Sequence, residues 1–324
     1  LSKPLRKSVS RMSSSSDQPL VQRVLAVSAA SAARASLVIR QVMSSGQLGI
    51  VEKGKNDLQT AADRGAQRII IGNLRLAFPG LTVIGEEDED PNAEPLRPDE
   101  LVQPDAWVLA KDCPAALRDV PVGDVTVWVD PLDGTSEFAA NLLDHVTVLI
   151  GIAVGSRAVA GVICQPYYNY QTLSPDQMGR LIWSLEGLGV FGLSETEIAN
   201  NPPGNIIATT RSHSNQIVND AVTACEPTEV LRVGGSGHKV LLLIERRAHA
   251  YVFASPGCKK WDTCAPEAVL RALGGCLTDI LGNELPYDAS ATHPNKQGVL
   301  ATLRKEDHAR FAAKIPENVR KAMS

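Results

Sequence analysis

Aspartates 130 and 133 lie in the run Val125 to Thr135, V-T-V-W-V-D-P-L-D-G-T, where a β-rich stretch meets Pro131 and Gly134. The β stretch ends at Asp130, and the proline and glycine predict a tight turn that presents Asp133 beside it. Two carboxylates and the inward-pointing carbonyl of Leu132 make an oxygen-only pocket. Such a pocket suits a hard divalent cation, and Mg²⁺ accepts one or two carboxylates together with waters and a substrate phosphate. Asp-Pro and Asp-Gly pairs also cap ordinary turns, so this run alone leaves both readings open.

Other segments add carboxylates in comparable places. Glu86 follows a β run at Ile84-Gly85, at the strand edge where the fold sets its direction; Asp88, Glu89 and Asp90 beyond it read as a solvated loop. Asp57, Thr60 and Asp63 fall three apart on an expected second helix and so share a face. Asp262 follows Lys259-Lys260-Trp261 at a helix start, where it could equally be a cap. Carboxylates at strand ends and helix starts suit a two-metal phosphoryl-transfer site, in which paired cations activate water and neutralise the leaving oxygen. A covalent aspartyl-phosphate route needs D-x-D-G-T. Here Pro131 and Leu132 both separate the two aspartates, which misplaces nucleophile and acid.

Two later segments could hold a substrate. Thr209-Thr210-Arg211-Ser212-His213-Ser214 joins a β run to a helix, so hydroxyls and backbone N–H groups should converge at a positive helix start. An ordinary capping box gives the same pattern. Gly234-Gly235-Ser236-Gly237-His238-Lys239 also follows a strand and opens a helix, but it lacks the G-x-x-x-x-G-K-[ST] spacing of a nucleoside-triphosphate loop. Its glycines permit close backbone approach to a phosphate or ribose, and Lys239 supplies a point charge. Lys259 and Lys260 either ease the approach of a multiply charged substrate or are simply solvated.

The elements that must position these groups fit a chain of 324 residues, long enough for one large domain or two modest ones. The net charge of −4 argues against a nucleic-acid partner. Six cysteines without a C-x-x-C pair read as reduced thiols, and hence a cytoplasmic protein. The longest uncharged stretch, Ala158 to Pro175, is interrupted by Gln165, Pro166 and Asn169, so no membrane span is expected. Residues 1–16, basic and serine-rich with no acid, read as a disordered leader that shares the bias of a transit peptide.

Asp17 is an expected N-cap for a first helix that stops at Gly46, and a second helix is expected from Asn56 or Asp57 through Leu76. Strands are expected at Leu81–Gly85, Val125–Val129, Val146–Val154, Ala158–Cys164 and Arg180–Leu185, with a hairpin at Gly155-Ser156. Beyond Pro203 the rhythm becomes strand then helix, with helices near Ser214–Ala224 and Trp261–Leu273. The chain thus divides into an α+β half over 17–190, carrying most candidate metal ligands, and an α/β half over 191–324, carrying Asp262 and the substrate loops.

Glu86 after Ile84-Gly85, W-V-D-P-L-D-G-T at Trp128 to Thr135, and Trp261-Asp262 together resemble the lithium-sensitive, magnesium-dependent phosphatase superfamily. It includes inositol monophosphatases, inositol polyphosphate 1-phosphatases, fructose-1,6-bisphosphatases and 3′(2′),5′-bisphosphate nucleotidases. Within it, R-S-H-S-N and S-P-G-C-K-K-W-D-T-C-A-P-E are similar to the nucleotidase branch, and the likeness covers roughly Val24 to Val319. The resemblance implies an α+β fold, a layered αβαβα sandwich, with the site between its halves.

It also implies Glu86, Asp130, Asp133, Asp262 and the Leu132 carbonyl as ligands of two or three Mg²⁺ ions. Asp63 and Thr135 would be the pair handling the proton of the attacking water. Thr210, His213, Gly235 and Lys239 would bind nucleotide. The implied reaction removes the 3′(2′)-phosphate of adenosine 3′(2′),5′-bisphosphate to give AMP, with action on its sulfated analogue in sulfate assimilation and inhibition by lithium also implied. The sequence departs from the family pattern in the leader, over Asp88 to Asp124, and at His238 before Lys239. Inositol polyphosphate 1-phosphatase activity, or a non-catalytic nucleotide or metal sensor, are the alternatives.

Overall fold

The computed structural model describes residues 18–54, 57–88, 94–193 and 203–324. The expected leader and the Asp17 cap lie outside them, as do Glu89 and Asp90. The chain opens with α1 (Leu20–Ser45), β1 (Val51–Gly54), β2 (Asp57–Gln59), α2 (Ala61–Ala77) and β3 (Thr82–Gly85). After α3 (Ala106–Leu109) come β4 (Val125–Asp133), α4 (Thr135–Ala139), β5 (Thr147–Val154), β6 (Arg157–Gln165), β7 (Arg180–Leu185) and β8 (Gly189–Phe191). The remainder is β9 (Ile206–Thr210), α5 (Gln216–Ala224), β10 (Glu229–Val233), α6 (Ser236–Ile244), β11 (Ala250–Phe253), α7 (Lys260–Ala272), β12 (Cys276–Thr278), β13 (Val299–Thr302), α8 (Lys305–Lys314) and α9 (Glu317–Met323).

Two sheets form the frame. The first has the order β3-β4-β5-β6-β7-β8, parallel at β3–β4 and antiparallel beyond; the second has the order β10-β9-β11-β13-β12. The period-2 alternation of the strands sorts apolar residues into separate cores. Val127, Val129, Ile150 and Val162 face α1 and α2 in one cluster, while Trp128, Leu149 and Ile163 face the other way, toward α6 and α7. Tyr251 and Ala301 join this middle cluster, and Ile207, Val252 and Leu300 face α5, α8 and α9 in a third. The layers are therefore helix, sheet, helix, sheet, helix: an α+β fold, an αβαβα sandwich.

The close approach of α7 to the first sheet depends on two glycines. A Cβ on Gly151 of β5 would sit 2.5 Å from the Cys264 side chain, and one on Gly161 of β6 would sit 2.5 Å from the Ala265 carbonyl oxygen. Both contacts are prohibitive, so only glycine admits the helix at this depth. Trp128, fully buried on the same face, donates its indole N–H to Tyr287 O at 2.8 Å.

Three local expectations are corrected. The second helix starts at Ala61, because Thr60 caps it: its hydroxyl accepts from Ala62 N at 3.1 Å. Asp57 instead lies in β2, hairpinned on β1. Helix α5 starts at Gln216, with the Asn215 side chain accepting from Val218 N at 2.9 Å, so the hydroxyls of Thr210 to Ser214 do not cap it. The strand through Asp130 does not stop there; it runs to Asp133.

Candidate active site

On a regular strand, residues three apart face opposite sides, so Asp130 and Asp133 would diverge. Here Asp130 pairs with Leu149 and Asp133 with Thr147: three steps on β4 match two on β5, and the extra residue is a bulge. The bulge turns both carboxylates to one face. The Asp130 carboxylate accepts from Leu132 N at 3.0 Å, which holds the irregular segment in place. A strand bulge, and not the expected turn, thus brings the two together.

The other acids arrive from separate elements. Glu86 N donates to Val129 O at 3.1 Å, extending the β3–β4 pairing by one residue and bringing the Glu86 carboxyl beside that of Asp130, where the two negative charges oppose each other. Helix α7, seated on Gly151 and Gly161, delivers Asp262 from its first turn; the carboxylate accepts from Lys259 N at 2.5 Å. Asp262 is both a cap and part of the cluster. Ligand oxygens of Asp130, Asp133 and Asp262 lie within 4.8 Å of one another.

Packing these acids together is costly. Burial pushes the Glu86 carboxyl up to about 8, with Asp262 adding to the effect. Burial, then Asp262, raises Asp133 to about 6, and burial raises Asp130 and Asp262 as well. Lys239 is the buried cation that opposes them at Asp133. A buried, oxygen-only set with surplus negative charge fits a hard divalent cation, which would supply the missing positive charge.

Asp63 and Thr135 meet beside this cluster. The Thr135 hydroxyl, at the start of α4, lies 2.9 Å from Asp63 Oδ1 and 3.1 Å from Leu132 O. Thr60 donates to the other oxygen, Asp63 Oδ2, through its backbone N–H at 2.8 Å and its hydroxyl at 2.5 Å. Burial raises Asp63 to about 6, close to neutrality.

The first two amides of the helix after the glycine-rich loop are taken by the protein itself. Ser236 N and Gly237 N, the first amides of α6, donate at 2.8 Å to Oδ1 and Oδ2 of Asp133, whose Oδ2 also accepts from Thr147 Oγ1 at 2.7 Å. The glycines bring the helix onto a carboxylate of the protein itself. A Cβ on Gly234 would lie 1.9 Å from the Glu137 carboxyl carbon, and Gly235 has φ +72°. Lys239 curls back, donating to Gly235 O at 2.6 Å, with its Nζ 5.1 Å from the centre of the Tyr251 ring.

All of these groups open on one cleft of about 350 Å³. Glu86, Asp130, Leu132, Asp133, Thr135, Thr210, His213, Gly235, Lys239 and Asp262 line it. Asp63 stands behind Thr135. Lys259 reaches the cleft, but Lys260 is buried and bonded to Asn295, which answers the open question about that pair.

A family model described as the inositol monophosphatase family matches residues 20–320. The chain belongs to the inositol monophosphatase family. Its sequence is 50% identical over 312 residues to 3′(2′),5′-bisphosphate nucleotidase 1 of Homo sapiens, covering 95% of this chain and 99% of that one. It is 38% identical to the protein of the same name in Dictyostelium discoideum, over 82% of this chain and 88% of that one. The extragenic suppressor protein suhB of Bartonella henselae shares the fold, with TM-score 0.64 at 20% identity, covering 91% of this chain and 98% of that one.

In this member of the inositol monophosphatase family, the far wall of the cleft is the loop after β9. Thr210 Oγ1 accepts from His213 N at 3.1 Å, and Ser212 Oγ lies 2.9 Å from His213 Nδ1. Two further acids, Glu137 and Glu87, are buried by partners distant in the chain. Glu137 takes a bond of 2.8 Å from Arg211 and sits over Gly234. Glu87 takes Lys53 Nζ at 2.9 Å, while the Gln67 amide holds its backbone at 3.0 and 2.6 Å. Glu137 lies in the first turn after the αL residue Gly134, and Glu87 stands next to Glu86 directly after β3. No helix among the described residues is long and apolar enough to cross a membrane.

Proposed function

We propose that the protein is a 3′(2′),5′-bisphosphate nucleotidase, a phosphatase that removes the 3′(2′)-phosphate of adenosine 3′(2′),5′-bisphosphate to leave AMP. The observation that carries this reading is the juxtaposition, in one cleft, of the Asp130–Asp133–Asp262 cluster with the Thr135–Asp63 pair. The nucleotidases of half-identical sequence supply the substrate class.

On this reading Glu86, Asp130, Asp133, Asp262 and the Leu132 carbonyl hold two or three Mg²⁺ ions. When bound, these supply positive charge to the phosphoryl oxygens and acidify the attacking water. Thr135 takes the proton of that water and passes its own to Asp63 Oδ1, 2.9 Å away. A threonine hydroxyl is a poor base by itself, and the Asp63 carboxyl, raised by burial to about 6, is a better proton acceptor behind it than an ordinary carboxylate. Thr60, bonded to the opposite oxygen, keeps Asp63 Oδ1 turned toward Thr135.

Thr210, His213, Gly235 and Lys239 take the nucleotide, with the adenosine along the loop after β9. The sulfated analogue, 3′-phosphoadenosine 5′-phosphosulfate, offers the same 3′-phosphate and is a second substrate. The half before about residue 190 supplies Asp63, Glu86, Asp130 and Asp133, and the half after it supplies Asp262 and the nucleotide loops. All six cysteines are free thiols, which supports the expectation of the reducing cytoplasm.

The deciding experiment measures phosphate released from adenosine 3′,5′-bisphosphate and from inositol 1,4-bisphosphate, with and without Mg²⁺. Mg²⁺-dependent release should favour the nucleotide. Much faster turnover of the inositol phosphate would overturn the substrate assignment, and no turnover of either would overturn the enzyme.

A further inference from the structure

A second cavity, of about 300 Å³, lies at the far end of α6 from the catalytic cleft and shares no residue with it. The nine residues of α6 separate the two by about 13 Å. Its apolar walls are Leu243, Ile244, Ala248, Leu273 and Leu303. Its polar groups are unbalanced: Arg246, His249 and Arg304 are basic, and Asp307 is the single acid among the lining residues.

That acid is already engaged. Asp307 accepts from Arg304 Nε at 2.7 Å and from Arg310 at 3.1 Å. Arg246 has no such partner among the described residues. It sits in a left-handed backbone conformation, φ 55°, in the turn after α6, where Arg246 N bonds Leu243 O at 3.0 Å. Its Nε is buried with no hydrogen-bond partner among the described residues. A buried guanidinium donor left unmet is costly, and a non-glycine residue in this conformation adds strain. His249 is set as a donor too. Its Nδ1 accepts from Ile206 N at 3.0 Å, so the ring proton resides on Nε2.

We propose that this cavity is a second ligand site that takes a small organic anion, its oxyanion held by Arg246 and His249 and its apolar body packed against Leu243, Leu273 and Leu303. The site is independent of the catalytic reading, because none of its residues touches the cleft.

The probe is 2-naphthalenesulfonate, titrated calorimetrically into the full chain with and without saturating AMP. One equivalent should bind with a Kd on the order of 0.1–1 mM, unaffected by AMP. Uncharged 2-naphthol should bind more weakly. Arg246→Gly keeps the backbone, since glycine adopts φ 55° freely, and should weaken the sulfonate at least about tenfold while leaving nucleotide turnover unchanged. Leu273→Trp, which fills the cavity from its exposed rim, should also weaken it. No binding, binding displaced by AMP, or equal binding to Arg246→Gly would overturn the proposal.

Discussion

Converting Asp133 to Asn separates the two roles that its carboxylate combines. Holding Asp133 charged at pH 7, with its pKa raised from 3.8 to about 6, costs on the order of 3 kcal/mol. Asn removes that cost. It also turns one acceptor oxygen into an N–H₂ group. If the remaining oxygen serves Gly237 N and Thr147, Ser236 N faces a donor and goes unmet, at about 1–3 kcal/mol. The two effects nearly cancel, so the metal-free variant should melt within a few degrees of the wild type. Catalysis should not be spared: one charge leaves the cluster, and turnover of adenosine 3′,5′-bisphosphate should fall by about two orders of magnitude or more, with a higher Mg²⁺ half-saturation. Thermal melts in EDTA, followed by a Mg²⁺ titration of phosphate release, measure both. Near-normal turnover at an unshifted Mg²⁺ midpoint would refute the placement of Asp133 among the metal ligands. A melt lowered by ten degrees or more would instead show that α6 depends on both oxygens.

Thr135→Val removes the hydroxyl between Asp63 and the Leu132 carbonyl, so kcat should drop with KM nearly unchanged; a change confined to KM would place Thr135 in substrate binding. Glu86, Asp63 and Asp133, raised to about 8, 6 and 6, favour their neutral forms in the folded chain. Their contribution to stability is therefore full below the ordinary carboxyl range and is lost as pH rises through 6 to 8. In EDTA the melting temperature should fall from pH 5 to pH 8, and Mg²⁺ should raise it more at pH 8 than at pH 5; a flat or rising EDTA profile would contradict this. Lithium should inhibit nearly uncompetitively, because an oxygen-only site discriminates poorly against a small hard monovalent ion. Activity unaffected by Li⁺ at concentrations like those of Mg²⁺ would make Asp262 the first ligand to doubt.

Much of this site was written in local sequence. A β run ending in D-P-L-D-G-T, carboxylates at other element ends, and a strand-then-helix rhythm after Pro203 depend on neighbours a few residues away, so period and turn chemistry reveal them. Positions of the acids relative to one another were not local. Asp130 and Asp133 share a face only because β4 gains a residue against β5, and that register belongs to the pair of strands. Asp262 reaches the cluster because Gly151 and Gly161, more than a hundred residues earlier, leave room for α7. The first amides after the glycine-rich loop close on Asp133, because a buried carboxylate and an uncapped helix start satisfy each other. What buries Glu87 and Glu137 is partners such as Lys53, Gln67 and Arg211, distant in the chain. Residue types and spacing named the chemistry; register and close packing, which depend on contacts far apart in sequence, decided which groups meet.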